Sequence, residues 1–217
     1  MSPGLIAAVP VKDLVNAKQR LVPALSAQER RELARAMLED VLEAMVAALP
    51  GAVVVVTTDP EVRALAAAGG VQCLIESANR GHTAAVAFAQ REAQARDATR
   101  FLTLPGDVPC VTPGEVAAVC RALDETPGVV FVPSRSGLGT NAALVAPPGA
   151  LALTFGEPSF DNHLAAARAA GLTPRVLRLP GIGLDVDSPE DLPLLLEHGP
   201  TTRSARLLRG FMPAGAR

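Results

Sequence analysis

Short apolar, β-branched runs alternate with capped helical patterns along most of this chain, and that alternation limits the folds open to it. Residues 5–11 (LIAAVPV) read as a first strand. Ser26 and Glu29 form an S-x-x-E capping box, after which Leu33, Met37, Leu38, Val41, Leu42, Met45 and Val46 recur at helical spacing until Pro50-Gly51. Residues 52–57 are the β-branched run of a strand buried on both faces, and Asp59-Pro60 opens a short helix ending at Gly69-Gly70. The pattern continues with strands at 71–75, 101–104, 129–132, 141–145 and 175–179. Helices are expected from Thr83 to Ala95, from Thr112-Pro113 with Glu115 to Leu123, from Ser159 to Ala170, and from Ser188-Pro189 with Asp191 to Glu197. The expected architecture is a single α/β domain over 1–198, three layers deep, with a mainly parallel mixed sheet covered on both faces. The polar stretch 199–217, with Arg203, Arg206 and Arg209, is expected to be a loosely held tail.

A chain of 217 residues with 49% hydrophobic and 19% charged residues can bury a substantial core and is not disordered. It has no Trp or Tyr and a formal net charge of -2, so neither stacking platforms nor excess cations favour a nucleic-acid or membrane partner. No apolar run reaches the roughly 18 residues of a membrane span, and the N-terminus lacks the basic start of a signal peptide. Cys73, Cys110 and Cys120 form neither a CxxC nor a zinc-type cluster, so free thiols in the cytoplasm are expected. The apolar helix over 26–48 is equally suited to core packing or to a homodimer interface.

Ligands of such folds lie beyond the carboxyl ends of the strands, where loops and helix starts converge. Lys12, Lys18 and Arg20 follow the first strand closely and read either as a polyphosphate site or as a solvated basic turn. Asp107, set between prolines in Leu104-Pro105-Gly106-Asp107-Val108-Pro109, reads as a Mg²⁺ ligand or as a turn carboxylate. Asp185 and Asp187 alternate on an extended segment and offer a second carboxylate, Asp187 being the preferred ligand and Ser188 the preferred helix cap. The Gly137–Gly139 stretch has glycines whose amides suit an anion, with Thr140 adding a hydroxyl. Gly156 and Ser159 stand where an anion site or an ordinary N-cap would lie. His82 follows Gly81 in a loop in reach of a ligand; for it, as for His163 and His198, a structural or solvated side chain is expected over a catalytic one.

Together these segments resemble the 2-phospho-L-lactate guanylyltransferase family (CofC/FbiD type) of coenzyme F-420 biosynthesis. The resemblance is carried in order by 6–12 with Lys18-Gln19-Arg20-Leu21, by Leu25-Ser26-Ala27-Gln28-Glu29-Arg30, and by Thr57-Thr58-Asp59-Pro60. It continues through 104–109, Gly139-Thr140-Asn141, Phe155-Gly156 with Ser159-Phe160, and 184–191. It implies a GT-A-like, Rossmann-like nucleotidyltransferase fold that joins GTP to 2-phospho-L-lactate, phosphoenolpyruvate or 3-phospho-D-glycerate and releases pyrophosphate, the product passing to a downstream transferase. It also implies site roles. Lys12, Lys18, Arg20 and Asp107 are catalytic; Thr140, Gly156 and Ser159 bind the acid; Ala8, Pro10, Lys12, Asp59, Gly81 and Thr83 bind the nucleotide; Asp107 and Asp187 hold Mg²⁺. Where family members commonly carry Gly-x-Asn, this chain reads Gly81-His82-Thr83, which leaves the base preference open.

In the expected reaction the nucleophile is a phosphate oxygen already ionised at neutral pH. No general base is needed, and the task is to align two anions and neutralise the leaving pyrophosphate. Two rival readings share the same residues: a transferase of this fold using CTP or a nucleotide-sugar donor, and a catalytically silent nucleotide-binding module.

Overall fold

The computed structural model describes residues 4–76, 78–123 and 125–211. Its described residues form one seven-stranded sheet of order β3-β2-β1-β4-β6-β5-β7. The strands are β1 (Leu5–Pro10), β2 (Val53–Thr57), β3 (Gln72–Ile75), β4 (Arg100–Thr103), β5 (Gly128–Pro133), β6 (Thr140–Ala146) and β7 (Arg175–Val176). β1 pairs in parallel with β2 and β4, and β2 with β3. β6 runs antiparallel between β4 and β5, so the sheet is mixed, as expected. The helices are α1 (Ala27–Ala48), α2 (Pro60–Ala68), α3 (His82–Ala95), α4 (Pro113–Arg121), α5 (Ser159–Ala169), α6 (Pro180–Gly183), α7 (Asp191–His198) and α8 (Arg203–Phe211).

The strand pleat divides the core into two layers. Leu5, Ala7 and Val9 of β1, with Val53 and Val55 of β2, face α1, α2, α4 and α8. Ile6 and Ala8, with Val54 and Val56, face α3 and α5. Such alternation within continuous apolar runs is what a central, doubly covered strand requires. The apolar face of α1 (Leu33, Met37, Leu38, Val41, Met45) is wholly buried in this core, which decides its role between core and interface. Two helices start on complete capping boxes. The Ser26 hydroxyl accepts from the Glu29 amide while Glu29 accepts from the Ser26 amide, and Thr112 and Glu115 repeat the arrangement on α4. Among the described residues no helix is long and apolar enough to cross a membrane.

Three expectations need correction. The stretch after Gly199 is not a loose tail: α8 packs on α1, with Ser204, Ala205 and Leu208 buried. Its amphipathic spacing is real, but the arginines on its outer face mask it in the composition. Residues 212–217 lie outside the described residues. The strand expected at 175–179 is only two residues long, because Pro180 starts α6. Ser188 does not cap α7. Instead, Asp191 accepts from the amides of Asp187 and Ser188 and from the Ser188 hydroxyl, folding the turn back on itself.

Asp40, buried on α1, anchors α8. Its carboxylate accepts from the Arg203 amide (2.8 Å), the Ser204 amide (2.9 Å) and the Ser204 hydroxyl (2.7 Å). Asp40→Ala orphans these donors at a buried helix start and is expected to lower the unfolding free energy by about 1–3 kcal/mol. Urea denaturation checks this: the midpoint should fall with little change in slope.

Candidate active site

The carboxyl ends of β1 and β4 and the segment before α7 enclose a cleft of about 460 Å³ whose lining includes Pro10, Lys12, Lys18, His82, Asp107 and Asp187. It lies where the parallel part of the sheet meets the antiparallel strand. Thr103 of β4 stands opposite Ala143, which sets the start of β6 beside the Pro105-Gly106-Asp107 turn.

At the centre is an ion triad. Lys18 Nζ lies 2.7 Å from Asp107 Oδ2 and 2.6 Å from Asp187 Oδ1. Its side chain is only 7% exposed. Burial by itself pulls the Lys18 pKa down, but the two carboxylates outweigh it and hold the ammonium above its ordinary value. Burial likewise pushes the Asp107 carboxyl up, and Lys18 more than reverses this, with His82 adding to the effect. Lys18 also has φ 56 and ψ 44, the left-handed region, entering the turn of residues 19–21. For a lysine that backbone costs on the order of 1 kcal/mol, and the double ion pair offsets it.

The loop carrying Lys12 and Lys18 is fastened from below by Asp59. One oxygen of Asp59 accepts from the Glu61 amide to cap α2, the other from the Leu14 amide (3.0 Å). Asp59 was expected to bind nucleotide. Here its carboxylate is buried and committed to backbone, so its contribution to the cleft is to shape the loop.

A second cluster adjoins the first. The Ser159 hydroxyl accepts from the Thr140 amide (3.0 Å), and Leu138 O accepts from the Phe160 amide (3.1 Å), stitching the start of α5 to the start of β6. Ser159 is thus the first helical residue rather than the cap. His163, one turn on, is 2% exposed and has its ring nitrogens against Thr140 Oγ1 and the Thr154 amide. Burial pushes its pKa down to about 4. Gly156 has φ +116, a conformation only glycine adopts readily.

Ring contacts join the clusters. His82 meets Phe155 edge-on at 4.5 Å, and Phe155 meets His163 at 5.2 Å. Burial lowers the His82 pKa, Asp107 opposes this and Lys12 reinforces it. The Thr83 hydroxyl accepts from the Phe155 amide (2.9 Å) and donates to its carbonyl (3.3 Å). Asn141 donates to Asp185 Oδ1 (3.0 Å), and burial raises the Asp185 carboxyl, with Asp107 and Asp187 near enough to contribute. Of the two alternate aspartates, Asp187 is the one that shares a cation with Asp107.

The structure therefore brings Pro10, Lys12, Lys18, Asp107 and Asp187 into one cleft, while Thr140 and Ser159 lie outside its lining in a second cluster that His163 and Phe155 connect to His82, with Gly156 in the turn next to Phe155. It does not bring in the rest. Ala8 is enclosed in the sheet, its carbonyl accepting from the Leu104 amide. Arg20 is exposed on the turn outside the cleft lining. Gly81 precedes α3 with φ +94 and serves to set His82 into the cleft. The hydroxyl of Thr83 is taken up by the Phe155 backbone. The glycine stretch 137–139 does not offer its amides to an anion: those of Gly137, Leu138 and Gly139 go to Ser134 O, Ser136 Oγ and Ser134 Oγ inside the hairpin. His82, expected in a loop in reach of a ligand, lines the cleft, whereas the His163–Thr140 contact was not anticipated. The signal for His163 was its spacing of four from Ser159, which puts both on one helix face.

Comparison with known proteins follows the same lines. A family model described as "Guanylyl transferase CofC like" matches residues 5–212. The chain is 40% identical over 201 residues to a phosphoenolpyruvate guanylyltransferase of Sphaerobacter thermophilus, covering 92% of this chain and 96% of that protein. It is 34% identical over 203 residues to a 2-phospho-L-lactate guanylyltransferase of Methanothermobacter thermautotrophicus, covering 94% and 89%. A solved structure from Desulfovibrio desulfuricans G20, described as a nucleotide-diphospho-sugar transferase, superposes with a TM-score of 0.75 at 16% identity, covering 96% of this chain and 95% of the other. That likeness shows the nucleotidyltransferase type of fold.

Replacing Lys18 by Met leaves Asp107 and Asp187 facing each other without their shared ammonium. The Asp107 pKa is expected to rise once the Lys18 ammonium is gone, read from carboxyl carbon shifts in an NMR titration.

Proposed function

The chain belongs to the CofC-like guanylyl transferase family, and from that premise we propose that it joins the GMP moiety of GTP to the phosphate of a small phospho-acid, releasing pyrophosphate. One observation carries this reading: two lysines and two aspartates converge on one cleft, and the Thr140–Ser159 pair is linked to it through His163, Phe155 and His82. The first group suits a triphosphate and the second a smaller anion. Phosphoenolpyruvate is the acceptor we assign first, because the more similar of the two relatives named above is named for it.

In this reaction a phosphate oxygen of the acid attacks the α-phosphorus of GTP. The bond from that phosphorus to the β-bridging oxygen breaks, and pyrophosphate leaves with the electron pair. No proton has to be removed from the nucleophile, because the phosphate oxygen is already ionised at neutral pH. What remains is alignment and charge neutralisation. Lys12, exposed at the cleft, is placed to meet the triphosphate, while Lys18 holds the carboxylates in register. Asp107 and Asp187 are hard oxygen donors that share one cleft. That set fits Mg²⁺, which takes one or two protein carboxylates and fills its shell with phosphate oxygens and water. When bound, the ion would supply the positive charge that stabilises the pyrophosphate leaving group.

We place the reaction in coenzyme F-420 biosynthesis, with the guanylylated acid consumed by a downstream transferase. The unpaired thiols of Cys73, Cys110 and Cys120 are compatible with the cytoplasm.

Incubation with GTP, Mg²⁺ and each acid separately, followed by mass analysis, tests the reading. A guanylylated acid and pyrophosphate are expected; absence of adduct with every acid, or equal use of CTP, overturns it. Asp107→Ala is expected to fold normally, by circular dichroism, and to lose about 100- to 1,000-fold in kcat, the usual cost of one transition-state electrostatic contact. Near-full pyrophosphate release by that variant would show that the metal site has been misassigned. Ser159→Ala is expected to raise the acid's KM more than that of GTP in steady-state kinetics, and an unchanged acid KM would remove Ser159 from the acceptor site.

A further inference from the structure

His163 is fixed on every side. Its ring lies nearly parallel to Phe131, at 5.4 Å between centroids and 13° between planes, and it meets Phe155 edge-on. The Thr154 backbone amide lies 3.0 Å from Nε2, and Thr140 Oγ1 lies 2.9 Å from Nδ1. A backbone amide can only donate, so Nε2 must present a lone pair. The proton of the neutral imidazole therefore sits on Nδ1, and Nδ1–H donates to Thr140 Oγ1. With that oxygen already accepting, the Thr140 hydroxyl hydrogen points elsewhere, and it has no protein acceptor among the described residues. Ser159 is in the same condition: its oxygen accepts from the Thr140 amide, and its hydrogen likewise has no protein acceptor among them.

We propose that His163 is a positioning residue for the acceptor. The Thr154 amide selects its Nδ1–H tautomer, and Nδ1–H in turn commits the Thr140 hydroxyl, beside that of Ser159, to donating to the anionic acid. The opposite tautomer would invert the device. A lone pair on Nδ1 would draw the Thr140 hydrogen inward and leave an oxygen lone pair facing an anion, a repulsive contact. An imidazole locked in one state by a backbone amide thus acts without gaining or losing a proton. The proposal rests on Thr140 and Ser159 holding the acid, as in the function proposed above.

Two measurements test it. The first needs no turnover: long-range ¹H–¹⁵N NMR of the imidazoles in the unliganded protein, which has only three histidines. His163, identified by loss of its signals in His163→Phe, should show the Nδ1–H tautomer; an Nε2–H tautomer or an imidazolium at neutral pH overturns the proposal. The second is steady-state kinetics on His163→Phe, His163→Asn, Thr140→Val and the double variant His163→Phe/Thr140→Val. His163→Phe should raise the acid's KM about tenfold or more, the scale of a hydrogen bond to a charged group, with the KM of GTP and kcat nearly unchanged. His163→Asn, whose amide can replace Nδ1–H, should recover most of that loss and also serves if the Phe variant folds poorly. The double variant should be no worse than Thr140→Val alone, because both changes remove one interaction. Additive effects, or equal losses toward GTP, would reduce His163 to a packing residue. An acid KM that rises in Thr140→Val but not in His163→Phe overturns this proposal and leaves the acceptor site standing. An acid KM unchanged in Thr140→Val overturns the acceptor site and this proposal together, whereas the absence of any adduct in the wild type is the failure of the function itself.

Discussion

The ammonium of Lys18 holds this site together. Asp107 comes from the turn after β4 and Asp187 from the segment before α7, and like charges brought together in a partly dry cleft repel strongly. A single cation within 2.7 Å of both removes that repulsion. Lys18 can be that cation because its backbone accepts a left-handed conformation, and because Asp59 pins the same loop from its other side through Leu14. The cap of α2 and the ion triad therefore share one loop, and the geometry of the cleft follows from both. The triad also shows how the chain manages an acidic pair before any substrate arrives: the protein supplies its own positive charge.

The two halves of the site are built on different physics. The half formed by Lys12, Lys18, Asp107 and Asp187 works through full charges, suited to a polyanion that needs neutralising. The half formed by Thr140, Ser159 and the Gly156 turn is made of neutral donors whose orientation is set by neighbours, suited to fixing one small anion in direction. Between them lie His82, Phe155 and Thr83. Thr83 binds both backbone groups of Phe155 with one hydroxyl, so the start of α3 and the turn before α5 are a single structural unit. Thr83 in this way braces the two clusters against each other.

Much of this was legible before any coordinates. The capping boxes at Ser26 and Thr112, the Asp59-Pro60 start of α2 and the β-branched core strands are signals that involve only near neighbours, and their elements lie within a residue or two of the expected bounds. The departures from expectation have a common cause. Asp59, Ser188 and the 137–139 glycines were read for what their groups can do, but backbone partners elsewhere in the fold had already claimed those groups. The arginine-rich end looked like a tail because its helix is short and highly polar, and its stability comes from Asp40, far away in the chain.

By itself the sequence determined the layering, the strand ends and the residue types that gather there, since hydrophobic period, caps and turn chemistry act over a few residues. It also carried the family resemblance, because that resides in ordered local motifs. Which groups meet was decided only in three dimensions. Lys18 meets two aspartates distant from it in the chain, and His163 takes its tautomer from an amide on another segment; in each case a proton or a charge settles where the fold leaves it a partner.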